Sequence, residues 1–341
     1  MNSVETGALN RRGVTNVEEG TINRQSGGVF KCLVYNGAVS LTLIDGGTFC
    51  AEGIKTHGLT GVAADAFASA LLFAAFSGTE LKEPSGEVSC TVKTDGALEN
   101  LTVSCSAALD VRGCIDFSEK KGTGAFGQSG FLQVVKNDAY SRPFVGACAL
   151  VYGEENYGEE KRGGRGGALK KEAENGLLSG ADGSGVAING AAEFFARNYE
   201  EYYRRSEQLS TAFVLRADAK RGAFYCAALQ ALPGDDGAWK SAAQTTLGAL
   251  IQAYERENEK SGFFQAAERA AEEIFEETGC IERRRAAYRC SCSRGYLKGV
   301  LASLGKDELN AILNEQGRIT AHCHYCNKDY VFLRGDVEDL L

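Results

Sequence analysis

Histidine is scarce in this chain, and an apolar run long enough to span a membrane is missing. Three histidines occur in 341 residues, and they form no pattern typical of a catalytic triad; motifs for a nucleophile elbow or a phosphate-binding loop are absent too. The longest apolar stretch, Ala66–Phe76, is interrupted by Ser69 and is shorter than the roughly 20 residues that cross a bilayer. The sequence therefore predicts neither an enzyme nor a membrane-spanning protein.

Positive charge is in deficit as well. Lysine and arginine number 37 against 45 aspartates and glutamates, for a net charge of −8. General affinity for nucleic acid requires a basic surface, so this balance argues against a nucleic-acid partner. Residues Met1–Gly28 are polar and mixed in charge, with no apolar core of the kind that a secretory signal needs. We therefore expect a cytoplasmic protein that binds neither nucleic acid nor membrane.

Cysteine, in contrast, is abundant, and four of the twelve cysteines lie in two close pairs near the C-terminus. The pairs are Cys290-Ser-Cys292 and Cys323-His-Tyr-Cys326. In a reducing compartment such a cluster indicates metal or redox chemistry rather than a disulfide framework. Four thiolates suit one tetrahedral Zn²⁺ per chain, and a closed shell of four sulfurs leaves no position for a water or a substrate. The pattern predicts a zinc site that is either a structural element or a redox switch.

Two histidines flank the second pair, and eight further cysteines are scattered along the chain. His322 and His324 are possible ligands, but thiolate is the softer ligand for zinc, so we expect these histidines to be exposed or hydrogen-bonded. The scattered cysteines have mostly apolar or small neighbours and are predicted to be small buried hydrophobes, with Cys280 the least certain because it lies in a charged stretch close to Cys290. They are Cys32, Cys50, Cys90, Cys105, Cys114, Cys148, Cys226 and Cys280.

Hydrophobic patterning before residue 237 predicts a mixture of strands and helices. Gly28–Gly46 alternates as a strand pair that turns at Asn36-Gly37. Thr60–Leu81 is apolar on nearly every face, which indicates one buried helix or two. Further strands are predicted at Val88–Val92, Leu98–Ser104, Leu109–Phe117, Phe131–Val135, Val145–Tyr152 and within Ala212–Ala228, and a helix at Ala187–Glu207. The glycine-rich residues 153–185 contain few large apolar side chains and are predicted to be a mobile insertion.

The segment Trp239–Tyr288 has a different composition, dominated by Ala, Glu and Arg. It is predicted to be helical, including Ser241–Arg256 and a sparse apolar stripe at Phe263–Phe275, and its basic run Arg283–Arg285 is expected on a solvated helix face. Such a helix carries little core of its own and depends on a neighbouring surface, for which the sheet of the first domain is the best candidate.

The C-terminal segment is predicted to fold as a helix hairpin followed by a β-hairpin. Helices at Ser293–Leu304 and Lys306–Glu315 end at glycines, and strands at Arg318–His322 and Asp329–Leu333 enclose the second cysteine pair. The two hairpins would bring the two cysteine pairs together around the metal. The overall prediction is an α+β fold with an N-terminal sheet-and-helix domain, a helical linker and a small C-terminal zinc domain.

Several stretches resemble one known family. The motifs are Cys290-Ser-Cys292-Ser-Arg294, Ser303-Leu-Gly-Lys306, Cys323-His-Tyr-Cys326-Asn-Lys with Tyr330 and Phe332, and the separate run Tyr202–Ala212 with its Ser206-Glu207-Gln208. Weaker similarities to the same family are Arg112-Gly113, Pro143–Gly146 and His57. Together they closely resemble the redox-regulated 33-kDa heat-shock chaperone family over residues 28–152 and 186–335. The glycine-rich insertion and the polar tail depart from the family pattern.

The resemblance implies a holdase chaperone that is inactive when reduced and zinc-bound. Its four zinc ligands correspond to Cys290, Cys292, Cys323 and Cys326, which oxidants would join as Cys290–Cys292 and Cys323–Cys326 disulfides. Zinc would then leave, the zinc domain and the linker would unfold, and apolar surface would open to unfolding client proteins. The family also suggests a homodimer in the activated state. The implied domains are a polar tail at 1–27, a substrate-binding domain at 28–236, a metastable linker at 237–288 and a redox-switch domain at 289–341.

Two other classes of protein compete with this reading. A structural zinc ribbon without redox switching is the usual interpretation of paired cysteines, but the acidic charge and the Ser206-Glu207-Gln208 match favour the chaperone. A thiol oxidoreductase would need an exposed Cys-x-x-Cys at the N-terminus of a helix in a thioredoxin-like fold, whereas Cys323–Cys326 is predicted between two strands. We therefore expect no catalytic residues.

Overall fold

The structure is a computed structural model that describes residues 27–118, 124–137, 142–152 and 190–340. The predicted polar tail, up to residue 26, and the predicted insertion at 153–185 lie outside these residues. The described chain contains a five-stranded sheet, a six-stranded sheet, a two-stranded C-terminal hairpin and seven α-helices. These elements confirm the predicted α+β fold class.

The first sheet is antiparallel and has the strand order β10-β1-β2-β9-β8. Its strands are β1 (Gly28–Val34), β2 (Val39–Asp45), β8 (Thr211–Asp218), β9 (Ala223–Ala231) and β10 (Gly279–Arg285). The predicted turn between β1 and β2 is present, with positive φ at Asn36 (55°) and Gly37 (84°). Such backbone geometry favours asparagine and glycine, which explains why this dipeptide marks the turn.

The second sheet has the order β11-β5-β4-β3-β6-β7, with β11 parallel to β5 and the other pairs antiparallel. Its strands are β3 (Glu87–Thr94), β4 (Leu98–Ser106), β5 (Asp110–Phe117), β6 (Gly130–Asn137), β7 (Phe144–Ala149) and β11 (Ala287–Tyr288). The first five confirm predicted strands, with small changes at their ends. The pairing of β11 with β5 was not predicted.

One helix forms the centre of the N-terminal domain. Helices α1 (Gly47–His57), α2 (Gly61–Gly78) and α3 (Gly190–Tyr202) share a core with residues of both sheets. Helix α2 extends beyond both ends of the apolar run Ala66–Phe76. Ser69 does not interrupt it, because the Ser69 hydroxyl donates to the carbonyl oxygen of Asp65 within the helix (2.8 Å). By length and composition α2 could cross a membrane, contrary to the sequence-based expectation. Since 83% of it is buried inside the protein, it has the properties of a core helix.

The Ser-Glu-Gln motif lies at the end of α3, in a π-helical turn at Tyr203–Glu207 that Gln208 ends with a positive φ of 56°. The Glu207 carboxylate accepts a hydrogen bond from the Tyr202 hydroxyl (2.7 Å) and pairs with Lys136 of β6 (2.7 Å). The motif therefore fastens the end of this helix to the second sheet.

Two helices cover the outer face of the first sheet. Helix α4 (Ala243–Asn258) and helix α5 (Phe263–Ile274) form a separate core cluster with side chains of β1, β2, β8 and β9. The predicted stripe at Phe263–Phe275 therefore has the sheet as its partner.

The prediction that the segment Trp239–Tyr288 is helical is wrong at its C-terminal end, because residues after Ile274 form strands β10 and β11. Arg283–Arg285 lies on β10, which pairs with β1 at the edge of the first sheet. Charged side chains are common on edge strands. The backbone groups along the edge of β1 need hydrogen-bonding partners, which a strand at this position supplies and a helix would not. The arginine run therefore marks an exposed sheet edge instead of a helix face.

The C-terminal region confirms the predicted pair of hairpins. Its elements are α6 (Arg294–Ala302), α7 (Lys306–Gln316), β12 (Ile319–Cys323) and β13 (Lys328–Phe332). Gly305 and Gly317 adopt positive φ at the ends of the helices, at 83° and 71°. The core of this region is small and consists of Leu301, Leu309, Leu313, Ile319, Phe332 and Val337.

Candidate metal centre

Four sulfur atoms come together where the two C-terminal hairpins meet. The Sγ atoms of the cysteine cluster (Cys290, Cys292, Cys323 and Cys326) lie within 4.8 Å of one another. The distance from Cys292 Sγ to Cys326 Sγ is 3.3 Å, and from Cys290 Sγ to Cys323 Sγ it is 3.7 Å. A tetrahedron of sulfurs around zinc, with bonds of about 2.3 Å, has edges of roughly 3.8 Å. The cluster could therefore hold one metal ion, and four soft thiolates fit zinc.

Each half of the cluster is shaped by its local structure. The first cysteine loop (290–292) connects β11 to α6, and Ser293 caps this helix by accepting a hydrogen bond from the backbone N–H of Tyr296 (3.1 Å). The second cysteine loop (323–326) is the turn between β12 and β13. Asn327 closes this turn with a positive φ of 56° and donates its backbone N–H to the carbonyl oxygen of Cys323 (2.8 Å).

The thiols of the cluster differ in acidity. Burial raises the pKa of Cys290 to about 11. Burial also disfavours the Cys292 thiolate, but hydrogen bonds from the Tyr330 hydroxyl, 3.2 Å away, and from neighbouring thiols outweigh it and bring the pKa of Cys292 to about 7. Because the thiolate is the form that binds metal and reacts with oxidants, the sulfur of Cys292 is more readily available for either reaction than that of Cys290.

The two flanking histidines lie outside the sulfur group. Nδ1 of His322 is 2.7 Å from a carboxylate oxygen of Asp329, and its ring stands 5.0 Å from the ring of His324. Both side chains are exposed. This arrangement agrees with the expectation that the histidines are hydrogen-bonded or exposed.

The scattered cysteines lie outside the four-sulfur cluster, although Cys114 is close enough to Cys323 for their charges to interact. Burial is the main reason why the pKa values of these thiols are raised. The pKa is about 11 for Cys114 and Cys148 and about 12 for Cys32. It is also raised for Cys50, Cys90, Cys105 and Cys226. Thiols held in the protonated form are poor nucleophiles. Six of these seven cysteines are buried and behave as the small hydrophobes that were predicted, whereas Cys114 is partly exposed. The side chain of Cys280 lies outside the described part of the structure.

Sequence reasoning missed the contacts between the cysteine loops and the N-terminal domain. The carbonyl oxygen of Tyr325 accepts a hydrogen bond from the Tyr288 hydroxyl (2.7 Å) and lies 3.2 Å from Nε2 of His57. Arg112 of β5 contacts both loops. The sequence indicated His57 and Arg112 only as weak similarities to the family. Nothing in the sequence marked Tyr288 except its position two residues before the first cysteine of the cluster.

The model of a family described as Hsp33 protein matches residues 28–159 and 182–333 of this chain. The chain belongs to the Hsp33 family. Hsp33 is a family of chaperones, so the prediction that the protein is not an enzyme is confirmed. The matched ranges contain the whole cysteine cluster and the Ser206-Glu207-Gln208 motif, the two features on which the resemblance rested.

Curated relatives carry the name 33 kDa chaperonin. The chain is 24% identical to that of Acetivibrio thermocellus over 306 residues, which cover 84% of this chain and 87% of the relative. It is 25% identical to that of Bacillus mycoides over 328 residues, with 91% and 97% covered. The crystal structure of the Hsp33 homologue of Thermotoga maritima aligns with a TM-score of 0.61 at 19% identity, covering 93% of this chain and 97% of that one. The structural similarity to the Thermotoga maritima protein supports the fold of this chain.

Proposed function

We propose that this Hsp33 family member is a redox-regulated holdase. In the reduced state one zinc ion is held by Cys290, Cys292, Cys323 and Cys326, and the chaperone is inactive. Oxidation forms the disulfides Cys290–Cys292 and Cys323–Cys326, zinc is released, the linker unfolds, and the uncovered surface binds unfolding proteins and prevents their aggregation.

The observation that carries this proposal is the apolar sheet face beneath α4 and α5. Strands β1, β2 and β9 present fully buried Phe30, Leu41 and Leu229 to this cluster, and α4 covers them with fully buried Leu247 and Ile251. Removing the helices would expose a continuous apolar surface on a folded sheet. Large exposed apolar patches mark protein-binding sites, so this face is suited to capture unfolding chains.

The covering helices are attached mainly by apolar contacts, with a few polar ones. Tyr254 of α4 hydrogen-bonds to the carboxylate of Asp45, and Glu255 pairs with Arg216 of β8 (2.5 Å). Isolated helices of the length of α4, 16 residues, are only marginally stable in water. The linker helices therefore persist while they are docked and unfold once they are released.

The redox step takes all four ligands away from the metal. The two thiolates of each pair give up two electrons and form one S–S bond. A peroxide-class oxidant accepts those electrons, takes two protons from solvent and leaves as two water molecules when it is H₂O₂. Two equivalents of oxidant therefore convert the cluster into two disulfides.

Loss of these ligands should unfold the C-terminal domain. Its hydrophobic core contains six buried side chains, and domains of this size usually need a disulfide or a metal to fold. Bound zinc supplies folding free energy, about 10–16 kcal/mol in small zinc-finger peptides. A pair of short-range disulfides constrains the chain much less than a four-ligand centre that joins residues 290 and 326.

The proposed partners follow from the exposed surface. Unfolding client proteins bind the uncovered sheet face, and the activated protein forms a homodimer because an uncovered apolar face also favours self-association. The net charge of −8 disfavours nucleic acid as a partner, and we propose a cytoplasmic location without membrane binding.

The test is suppression of client aggregation by the zinc-loaded reduced protein and by the oxidised protein, together with zinc content. We expect strong suppression by the oxidised form and little by the reduced form. Fluorescence of Trp239, the one tryptophan of the chain, should shift to the red on oxidation, because this residue at the start of the linker is buried in the cluster between the linker helices and the first sheet. Equal suppression by both forms would leave a constitutive chaperone, and none by either would favour a structural zinc ribbon.

A further inference from the structure

One arginine of the second sheet contacts a residue within each of the two cysteine loops. Nη1 of Arg112 on β5 donates a hydrogen bond of 2.8 Å to Oγ of Ser291, which lies between Cys290 and Cys292. The guanidinium carbon of Arg112 is 5.3 Å from the ring centroid of Tyr325, which lies between Cys323 and Cys326. A single side chain therefore bridges the two loops that supply the four sulfurs.

The orientation of this guanidinium group is fixed by a carboxylate. Nη2 of Arg112 donates to both oxygens of Glu87 on β3, at 2.7 and 2.9 Å. The Arg112 side chain is 17% exposed, so water screens the pair only partly. Charge-assisted hydrogen bonds of this kind are directional and stronger than neutral ones. Glu87 thus holds Arg112 where it can meet both loops.

A second set of contacts fastens the same face of the second loop. With Nε2 of His57 protonated, the ring donates to the Tyr288 hydroxyl (3.0 Å), which in turn donates to the carbonyl oxygen of Tyr325 (2.7 Å). The side-chain amide of Asn327 donates to the carbonyl oxygen of Thr56 at the end of α1 (3.3 Å). The second loop is therefore docked on β5 and on the end of α1 by groups that are not metal ligands.

We propose that Arg112 couples the metal centre to the N-terminal domain by stabilising the metal-binding arrangement of both cysteine loops. Coupling between two sites is reciprocal: if bound metal favours docking of the loops, docking by Arg112 strengthens metal binding by the same free energy. Tighter binding appears as slower metal release when the rate of association is unchanged. Arg112 is a positioning residue in this scheme, because it contacts no sulfur and acts through Ser291 and Tyr325. The inference rests on the zinc-binding part of the proposed function.

The experiment measures zinc release from the reduced full-length protein to an excess of a chromogenic chelator. Arg112→Ala should release zinc roughly 10- to 100-fold faster than the unsubstituted protein, the range expected when a hydrogen bond to a charged group is lost. Arg112→Lys keeps the charge without the planar fork and should also release zinc faster. The matched control is Arg289→Ala, because Arg289 is also close to the cluster in sequence but is 71% exposed and pairs only with Asp110 at 3.5 Å among the ion pairs described; its release rate should change less than about twofold.

A double-mutant cycle separates coupling from general loss of stability. Ser291→Ala removes the loop side of the 2.8 Å hydrogen bond and leaves Glu87 and Arg112 paired. If the contact couples the two parts, Arg112→Ala in the Ser291→Ala background should accelerate release much less than it does alone. Should Arg112→Ala fail to fold, Ser291→Ala by itself carries the test, with an expected acceleration of roughly 3- to 10-fold.

Each outcome has one meaning. Unchanged zinc release in folded Arg112→Ala, or additive effects in the cycle, would overturn the inference and leave the proposed function intact. A reduced protein that binds no zinc would overturn the zinc centre and this inference together. Faster release in Arg112→Ala with Arg289→Ala unchanged supports the coupling.

Discussion

The hydroxyl of Tyr288 donates a hydrogen bond of 2.7 Å to the carbonyl oxygen of Tyr325. Tyr288 is the last residue of β11, and Tyr325 is in the second cysteine loop. The bond thus ties the strand at the end of the linker segment to the candidate metal site. Since β11 is a two-residue strand at the edge of its sheet, its pairing with β5 depends on such side-chain contacts.

Tyr288→Phe should therefore loosen β11 while the sulfurs remain available to metal. The substitution removes one hydrogen bond at a cost of about 0.5–1.5 kcal/mol, because Nε2 of His57 remains 3.2 Å from the Tyr325 carbonyl oxygen. The backbone amide of Ala287 donates to the carbonyl oxygen of Leu109, just before β5 (3.1 Å), and that of Arg289 donates to Val111 of β5 (2.9 Å). We expect the hydrogen exchange of both amides to become roughly 2- to 10-fold faster. Tyr296→Phe is the control, because that side chain is 65% exposed. Unchanged exchange in Tyr288→Phe would contradict the role given to this hydroxyl.

Zinc stoichiometry distinguishes the four-sulfur site from a mixed site. His322→Ala and His324→Ala should each retain one zinc per chain, because both rings are exposed and lie outside the sulfur group. Cys326→Ser should lose most of the metal, since a neutral hydroxyl replaces a thiolate ligand. Metal analysis after exhaustive dialysis gives the answer. Loss of zinc from His324→Ala to the same extent as from Cys326→Ser would show that the assignment is wrong.

Peptide mapping of the oxidised protein tests the disulfide pairing. In the folded state the short distances join sulfurs of different loops, such as Cys292 to Cys326 at 3.3 Å, so proximity alone does not select partners. Once the domain unfolds, closure of a short loop costs less entropy than closure of a loop of more than thirty residues. We therefore expect Cys290–Cys292 and Cys323–Cys326, with Cys290–Cys292 the more easily reduced because its small ring is strained. Predominant bridges from Cys280 would contradict this.

The cysteine cluster could be predicted from the sequence because its pairs are local and their spacing has a chemical meaning. The contacts that position it could not. Arg112 and Ser291 are separated by 179 residues and His57 and Tyr288 by 231, so their proximity depends on how both sheets are assembled. A lone arginine or histidine carries no pattern from which such a contact could be inferred.

The same difference between local patterns and distant contacts explains the errors in the prediction for the linker. Helix propensity predicted α4 and α5 correctly, since it is a property of the local sequence. Strand β10 forms because the edge of β1, some 250 residues earlier in the chain, offers hydrogen-bonding groups, and composition does not report a distant edge. Helical composition also extends over Gly262, but its φ of −74° and ψ of 162° place it at the N-cap of α5, where alanine would bring no helix stability.

Gly248→Ala tests whether linker stability sets the activation threshold. Gly248 lies inside α4, and a Cβ there meets nothing within 4 Å. Alanine should therefore stabilise the helix by about 1 kcal/mol, which reduces the undocked population roughly fivefold. We expect the variant to lose zinc normally on oxidation but to require a higher temperature for the red shift of Trp239 fluorescence and for suppression of aggregation.

Gly299→Ala is the matched control for this substitution. Gly299 lies inside α6 of the C-terminal domain, and its Cβ would also meet nothing within 4 Å. This variant should stabilise the cysteine domain and delay zinc loss without changing the temperature at which the linker undocks from the zinc-depleted protein. If both variants gave the same profile, or if Gly248→Ala activated like the unsubstituted protein, the linker would be a passive tether.

The docked linker should respond to pH through Glu200 at the end of α3. Its carboxylate accepts hydrogen bonds from the backbone of Phe213 (2.8 Å) and from Gln244 of α4 (2.9 Å). Burial raises the pKa of Glu200 to about 7, although these hydrogen bonds and the charge of Arg197 oppose the shift. When α4 leaves, Glu200 becomes hydrated and its pKa falls toward its ordinary value. The docked state therefore binds the proton more tightly.

Because the pKa of Glu200 is higher in the docked state, docking is most stable at pH below the ordinary pKa of a glutamate. It weakens as the pH rises through about 7. Between roughly pH 6 and pH 8 the undocking constant of the reduced, zinc-loaded protein should increase by up to roughly tenfold, measured by Trp239 fluorescence on heating. Glu200→Gln should remove this dependence, whereas Glu193→Gln, an exposed carboxylate of the same helix paired with Arg197 (2.5 Å), should keep it. A pH response that persists in Glu200→Gln would assign the titration to another group and remove Glu200 from the control of docking.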